Sequence, residues 1–253
     1  MDMNAIDKVV NVLAHSRNTV AVTGAGISTE AGIPDFRGKD GIYTKLGENR
    51  VMNIINIHAF RQNPAEFYDF HRKYFSFPPV EPSKAHKVLA EMEKKGRLKG
   101  IVTQNIDGLH EKAGSKNVVA IHGNSNRYIC MNSGCQALHD REYADKYQGP
   151  VPLCEKCGGV LKPDVVLFGE NIKNYNQAYE MIISAQVLLV IGSSLTVYPL
   201  AGFVKEFSTF YQDLIIINKG RTQLDHAALV KIDGGHTGDT LEEINRQMDL
   251  RGY

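Results

Sequence analysis

Four cysteines fall in two close pairs: Cys130 and Cys135 with four residues between them, and Cys154 and Cys157 with two, the pairs being eighteen residues apart. Two such pairs can meet around one tetrahedral ion, and zinc is the metal that suits a set of sulfurs at this spacing. No histidine lies inside either pair, so the site is expected to be closed and structural. Redox or disulfide use is the alternative.

A glycine turn, Thr23-Gly24-Ala25-Gly26-Ile27-Ser28-Thr29, follows the apolar run Thr19-Val20-Ala21-Val22. Glycines after a buried strand let the backbone turn tightly, and the N–H groups that follow can meet a pyrophosphate. A dinucleotide fingerprint has a third glycine where this chain has Thr29, so the match is partial and a plain turn stays open. Ile33-Pro34-Asp35-Phe36-Arg37-Gly38 shifts the balance. An aromatic ring beside a guanidinium, between Pro34 and Gly38, suits a loop that closes over a ligand with a ring and a phosphate or carboxylate.

Gln104-Asn105-Ile106-Asp107 ends another apolar run, Gly100–Thr103. These polar side chains can hold an amide and a ribose, or Asn105 or Asp107 can cap the helix that follows. Among nine histidines, His122 is set apart by ending the run Val118-Val119-Ala120-Ile121 and preceding Gly123. A neutral imidazole there can accept a proton near neutral pH, and a hydrogen-bonded structural role is the alternative. His15, His58, His71, His86, His110, His139, His226 and His236 are read as surface or packing residues. Ser193 and Ser194 follow Gly192 at the end of the run Val187–Ile191, and Asn218 ends Leu214–Ile217, where it can meet a ribose hydroxyl.

The elements that must position these groups follow from periodicity. Ile6, Val9, Val10 and Leu13 recur at helical spacing over residues 4–14, and further helical patterns cover Pro64–Tyr74, Ser83–Lys95, Asn174–Ala185 and Val197–Phe207. Asp239, with Glu242 three residues on, reads as the start of a closing helix. Short apolar strands, including Leu229–Ile232, alternate with these helices, which predicts an α/β fold: a Rossmann-like, doubly wound parallel sheet. In such a sheet the carboxyl ends of the strands face one crevice. Two stretches interrupt the rhythm, 36–82 with a helical region and 124–165 with every cysteine. Neither carries enough apolar residues for its own core, so both are expected to be insertions forming a smaller helical and zinc-binding domain. The expected division is 1–35, 83–123 and 166–253 for the Rossmann-like nucleotide-binding domain, 36–82 for a cofactor loop and helical insertion, and 124–165 for a zinc-binding module.

With 253 residues, 43% apolar and 23% charged, composition is that of a globular protein, and the net charge of +1 argues against general affinity for nucleic acid. The opening Met1-Asp2-Met3-Asn4 has no basic segment leading into an apolar run, and no stretch nears the roughly 20 apolar residues of a membrane span. A cytoplasmic location, with reduced thiols free for metal, is expected.

Taken together these motifs, with Phe168-Gly169-Glu170, resemble the sirtuin family of NAD-dependent protein deacylases from Val20 to about Leu241. The resemblance implies that Ala25, Thr29, Asp35, Phe36, Arg37, Gln104, Ser193, Ser194, Asn218, Asp239 and Thr240 line an NAD pocket. It implies that Ile106 and Asp107 hold the nicotinamide carboxamide, that Asn105 orders the ribose side, and that His122 is the general base. Val166, Leu167 and Phe168 would form an edge for an extended acyl-lysine peptide. In the implied reaction the acyl oxygen attacks the anomeric carbon as nicotinamide leaves. The acyl group then moves to ribose, and the products are free lysine and O-acetyl-ADP-ribose when the acyl group is acetyl.

The chain departs from the family pattern in its four-residue first cysteine spacing, in Lys219 after Asn218, and in the helix near residue 68. Members preferring acidic acyl groups carry Tyr-x-x-Arg there; here Tyr68 is followed at that spacing by His71, and Arg72 is turned about 100° away. Deacetylation is therefore expected over desuccinylation. The alternatives are a desuccinylase or long-chain deacylase, a protein ADP-ribosyltransferase using the same pocket, and a non-catalytic NAD or acyl-lysine sensor.

Overall fold

The computed structural model describes residues 2–75, 79–210, 212–233 and 236–253. Its strands are β1 (Thr19–Thr23), β2 (Gly100–Thr103), β3 (Val118–Ala120), β4 (Gly123–Cys130), β5 (Leu138–Asp140), β6 (Leu161–Val165), β7 (Val187–Ile191), β8 (Asp213–Ile217) and β9 (Val230–Ile232). Six of them form a parallel sheet in the order β3-β2-β1-β7-β8-β9. The chain runs outward from β1 through β2 and β3, then returns beside β1 at β7 and runs outward the other way. The strand order therefore reverses between β1 and β7, where an open α/β sheet leaves its crevice.

Alternate residues on a strand point to opposite faces, and here both faces are apolar. Ala21, Ile101, Leu189 and Ile215 pack under the helices Met3–His15, Lys84–Lys94 and Thr237–Leu250, against Ile6, Leu89, Leu241 and Ile244. Val20, Val22, Val102, Leu188, Val190 and Ile216 face the helices Tyr175–Ile183 and Leu200–Phe207, against Ile182, Phe203 and Phe207. Leu89 is wholly buried, and truncating such a side chain to alanine costs about 2–5 kcal/mol. The first helix starts where the Asp2 carboxylate accepts from the amides of Asn4 and Ala5, at 3.0 and 3.2 Å.

The closing helix differs from its expected start. It begins at Thr237, and Asp239 lies inside its first turn. The carboxylates of Asp239 and Glu242 both accept from Lys84 Nζ, at 2.8 and 2.9 Å, so the pair that resembles a cap is a clamp onto the helix Lys84–Lys94.

Above the sheet, β5-β4-β6 form a small antiparallel sheet. Tyr128, Leu161 and Val165 of that sheet share a core with Ile57, Phe60, Phe67 and Tyr68 of the helical stretch. The two interruptions of the α/β rhythm thus bury one another. Tyr68 is part of that contact, its hydroxyl donating to the Leu161 carbonyl at 2.7 Å.

Candidate functional site

The strand ends converge on one cavity of about 1460 Å³ between the parallel sheet and the smaller unit. Gly24, Gln104, His122, Ser193 and Asn218, which follow β1, β2, β3, β7 and β8, all line it. Its volume exceeds the roughly 300–1,000 Å³ of ordinary small-molecule pockets, leaving room for a dinucleotide and part of a second substrate.

The glycine turn lies against the end of β7. Gly26 N–H donates to the Gly192 carbonyl at 2.9 Å. A Cβ on Gly26 would stand 2.8 Å from Gly192 Cα, so only glycine allows this approach. From there Ala25 and Thr29 reach the cavity, with the Thr29 hydroxyl tied to the Gly26 carbonyl at 2.9 Å.

The loop after it also lines the cavity through Asp35, Phe36 and Arg37. Asp35 caps its own turn by accepting from Gly38 N–H at 2.7 Å. Phe36 packs tilted against Tyr43, with ring centroids 5.2 Å apart. The Arg37 guanidinium lies over the Tyr43 ring and donates to Glu48 at 2.6 Å. A ligand phosphate would have to share or displace that carboxylate.

Asn105, Ile106 and Asp107 sit together at the end of β2. Asn105 Nδ2 donates to the Gly24 carbonyl and to Ser28 Oγ, both at 3.1 Å. Ser28 in turn donates to Asp107 Oδ2 at 2.7 Å. The other Asp107 oxygen accepts from Leu109 N–H at 2.9 Å, so this carboxylate both ties down the first amide of the helix Leu109–Ala113, whose N-cap is Gly108, and faces the cavity. Gln104 Oε1 accepts from Ser193 Oγ at 3.1 Å, and Ser194 bonds Thr196 at 3.0 Å.

His122 stands at the passage from one sheet to the other. Its Nδ1 lies 2.9 Å from the Gln104 carbonyl, and its own carbonyl accepts from Val166 N–H at 2.8 Å. Gly123 follows with φ +85°, and a Cβ there would meet the Asp164 carbonyl oxygen at 2.0 Å. Burial pushes the His122 pKa below its ordinary 6.5, with the bond to Gln104 opposing part of that shift. The imidazole is therefore a neutral base at pH 7.

Val166, Leu167 and Phe168 line the cavity as well, yet their amides are already engaged. Val166 donates to His122, Leu167 to Glu170 Oε2 at 2.8 Å, and Phe168 to the Ile55 carbonyl at 3.0 Å. An incoming peptide that paired with these donors would have to replace those bonds.

Asn218 lines the cavity while its Nδ2 donates to the carbonyls of Lys219 and Gly220, at 3.1 and 3.4 Å. Its oxygen is the atom left for a ribose. Asp239 and Thr240 are absent from the cavity wall; Asp239 is held by Lys84, and the buried Thr240 hydroxyl donates to the His236 carbonyl at 3.3 Å. His236 and Thr237 stand at that corner instead. His71 packs between Phe67 and Phe75, as its reading as a packing residue has it, and also lines the cavity. Only three-dimensional placement marks these residues; nothing in their sequence neighbourhood does.

The four cysteine sulfurs lie within 4.8 Å of one another, and none of the four cysteines lines the cavity. Cys130 and Cys157 Sγ are 3.4 Å apart, and Cys135 and Cys154 Sγ are 3.8 Å apart. A tetrahedral zinc with Zn–S of about 2.3 Å requires sulfurs about 3.8 Å apart, so the set fits that ion. The turn of the second pair aims Gly159 N–H at Cys157 Sγ, 3.4 Å away. His139, buried beside Tyr143, places Nε2 3.2 Å from Cys154 Sγ, a contact of the kind that orients a metal ligand.

Comparison with known proteins decides what kind of molecule this is. The Sir2 family profile matches residues 24–199. The chain belongs to the Sir2 family. An NAD-dependent protein deacetylase of Clostridium acetobutylicum is 41% identical over 246 residues, covering 96% of this chain and 98% of that protein. One from Thermotoga maritima is 38% identical over 248 residues, covering 96% and 97%. Among solved structures, a Sir2 complex with a deacetylated p53 peptide and 3'-O-acetyl ADP ribose superposes with a TM-score of 0.86, at 37% identity over 97% of this chain and 98% of that one. A Sir2 complex with a p53 peptide and NAD+ gives a TM-score of 0.83, at 36% identity over 98% of both chains. The α/β fold with its doubly wound sheet and cysteine cluster is thus the fold of this family.

Proposed function

We propose that this Sir2-family chain removes acetyl groups from protein lysines with NAD as co-substrate, giving nicotinamide, O-acetyl-ADP-ribose and free lysine. The observation that carries the reading is the meeting of His122, Asn105 and Asp107 in one cavity at the switch point of the sheet. Close relatives bear the same activity in their names.

The chain's own residues divide the work. The glycine turn and the Ser193-Ser194 loop present main-chain and hydroxyl groups to the phosphates and the adenosine side. Asn218 offers its oxygen to a ribose. Asp107 and Ile106 hold the nicotinamide amide, and Asn105, fixed by Gly24 and Ser28, orders the adjoining ribose. His122 takes up the proton of a ribose hydroxyl on Nε2. The acyl-lysine arrives past Val166, Leu167 and Phe168. Zinc on Cys130, Cys135, Cys154 and Cys157 supplies a structural crosslink and takes no part in the reaction. In this reading residues 1–35, 83–123 and 166–253 bind NAD, 36–82 close over it, and 124–165 form the zinc module. A cytoplasmic site of action agrees with reduced thiols and with the finding that no helix among the described residues is long and apolar enough to cross a membrane.

Incubation of the purified protein with NAD and an acetyl-lysine peptide tests this, with all products weighed. Loss of acetyl from the peptide with equimolar nicotinamide release is expected. A gain of ADP-ribose on protein with the acetyl group retained would point to ADP-ribosyl transfer, and binding without turnover to a sensor.

A further inference from the structure

Behind the cavity wall lies a run of buried polar groups that the reaction does not touch. Thr23 ends β1 and Thr103 ends β2, side by side in the sheet. Thr23 Oγ1 lies 2.8 Å from Thr103 Oγ1 and 2.9 Å from His110 Nε2. Thr103 Oγ1 also accepts the Asn105 N–H, at 3.1 Å. Thr23, Thr103 and His110 are 0, 3 and 1% exposed, so water cannot replace a missing partner.

The direction of these bonds follows from counting protons. His110 Nδ1 is buried with no partner. Placing the ring proton there would orphan a donor, which buried structures avoid more strictly than an idle lone pair. The proton therefore sits on Nε2 and is given to Thr23, whose hydroxyl is then free to donate only to Thr103. Burial, with the neighbouring His86 ring 4.7 Å away, keeps His110 neutral by pushing its pKa down.

The relay continues into the site. Asn105 donates to Ser28, Ser28 to Asp107, and Asp107 accepts from Leu109, the residue before His110. The bonds make a closed circuit, His110–Thr23–Thr103–Asn105–Ser28–Asp107–Leu109, that joins β1, β2, the glycine turn and the helix Leu109–Ala113.

We propose that Thr103 and, through it, Thr23 and His110 are positioning residues that set Asn105 and Asp107 for the nicotinamide-ribose end of the substrate. The inference rests on the deacetylase reading and adds residues that no substrate atom meets. Removing the Thr103 hydroxyl leaves both the Asn105 amide and the Thr23 hydroxyl without an acceptor. The end of β2 then settles elsewhere, and Asn105 and Asp107 move with it.

The test compares Thr103→Val with Thr103→Ser in steady-state assays on the folded, zinc-loaded protein. Thr103→Val is expected to lower kcat/KM for NAD about tenfold or more while KM for the acetyl peptide stays within about twofold. Thr103→Ser, which keeps the hydroxyl, is expected to recover to within about threefold of the parent. A Thr103→Val protein that keeps pace with the parent, or a Thr103→Ser protein as slow as Thr103→Val, overturns the proposal. If Thr103→Val fails to fold, Thr23→Val against Thr23→Ser makes the same comparison. Nitrogen–proton correlation spectra of the labelled parent read the relay without any activity. A His110 proton on Nε2 supports it, and a proton on Nδ1 overturns it. A parent that releases no nicotinamide from NAD and acetyl peptide sinks the deacetylase reading instead, and the His110 spectrum still decides the relay.

Discussion

His122 Nδ1 lies 2.9 Å from the carbonyl oxygen of Gln104. A carbonyl can only accept, so Nδ1 carries the proton and Nε2 keeps its lone pair for the cavity. Gln104 is thus the residue that would leave His122 its free lone pair for the proposed role as base. His122→Ala is expected to lower kcat about 100-fold or more, the usual worth of a positioned base, while NAD binding stays near that of the parent. Because burial lowers the His122 pKa, the base stays unprotonated to lower pH than a free imidazole would. The acid limb of kcat/KM is expected below pH 6.5, and a limb centred above 6.5 would contradict the assignment. Steady-state rates between pH 5 and 8 measure it.

The zinc site makes a prediction about order more than about chemistry. The apolar residues around it, such as Tyr128 and Leu161, share their core with the helical stretch rather than forming one of their own, and β4 leads from His122 directly to Cys130. Binding of the ion is then part of the folding free energy of this unit. Elemental analysis is expected to find one zinc per chain, and none in Cys154→Ser. Limited proteolysis of Cys154→Ser is expected to cut first within 124–165, leaving the parallel sheet protected. Cleavage spread evenly over the whole chain would show that the ion supports more than its own module.

Acyl preference follows from which side chains of the helix Pro64–Tyr74 reach the cavity. Phe67 and His71 line it, whereas Arg72 turns outward and donates to the Gly149 carbonyl at 2.7 Å. Its guanidinium lies by the Tyr68 ring, 5.7 Å from the centroid, and the Tyr68 hydroxyl is bound to Leu161. No Tyr–Arg pair is offered to an acidic acyl group there. On matched peptides, kcat/KM for acetyl-lysine is expected to exceed that for succinyl-lysine about tenfold or more. Equal or reversed values would mean that another cation of the cavity wall does the recognition.

Several of these groups were readable from the sequence because their signal is local. Strands β1, β2, β7 and β8 are buried on both faces and so read as unbroken apolar runs. The residues that end them fall at the crevice by the geometry of parallel sheets alone, which is why Gln104, Asn105, Ser193 and Asn218 are found at one cavity, together with His122 after the shorter β3. The antiparallel strands β4, β5 and β6 leave no such trace, since β4 carries Asn124, Ser125, Asn126 and Arg127 in its middle. Asp239 and Glu242 have cap spacing, yet a lysine from another helix claims both. The roles of Thr23, Thr103 and His110 depend on which partners meet behind the wall, and no periodicity records that.

The buried histidines His86 and His110, alongside the half-buried His71 and His122, also set how the fold responds to acid. His86 and His110 are 0 and 1% exposed, and burial pushes the pKa of each below the ordinary 6.5. The nearby Asp107 charge opposes the shift at His86, and His86 adds to it at His110. In the unfolded chain both rings protonate near pH 6.5, while in the folded protein they stay neutral to lower pH. The sign is therefore fixed: above about pH 6.5 neither ring affects stability, and below it the unfolded state binds the extra protons. Each ring then removes about 1.4 kcal/mol of stability per pH unit until it protonates in the folded state as well. Thermal melts from pH 7.5 to 5 are expected to show a Tm that is level at first and falls below about 6.5. His86→Gln, which cannot take up a proton, is expected to make that fall shallower. An unchanged slope in His86→Gln would place the acid sensitivity elsewhere in the chain.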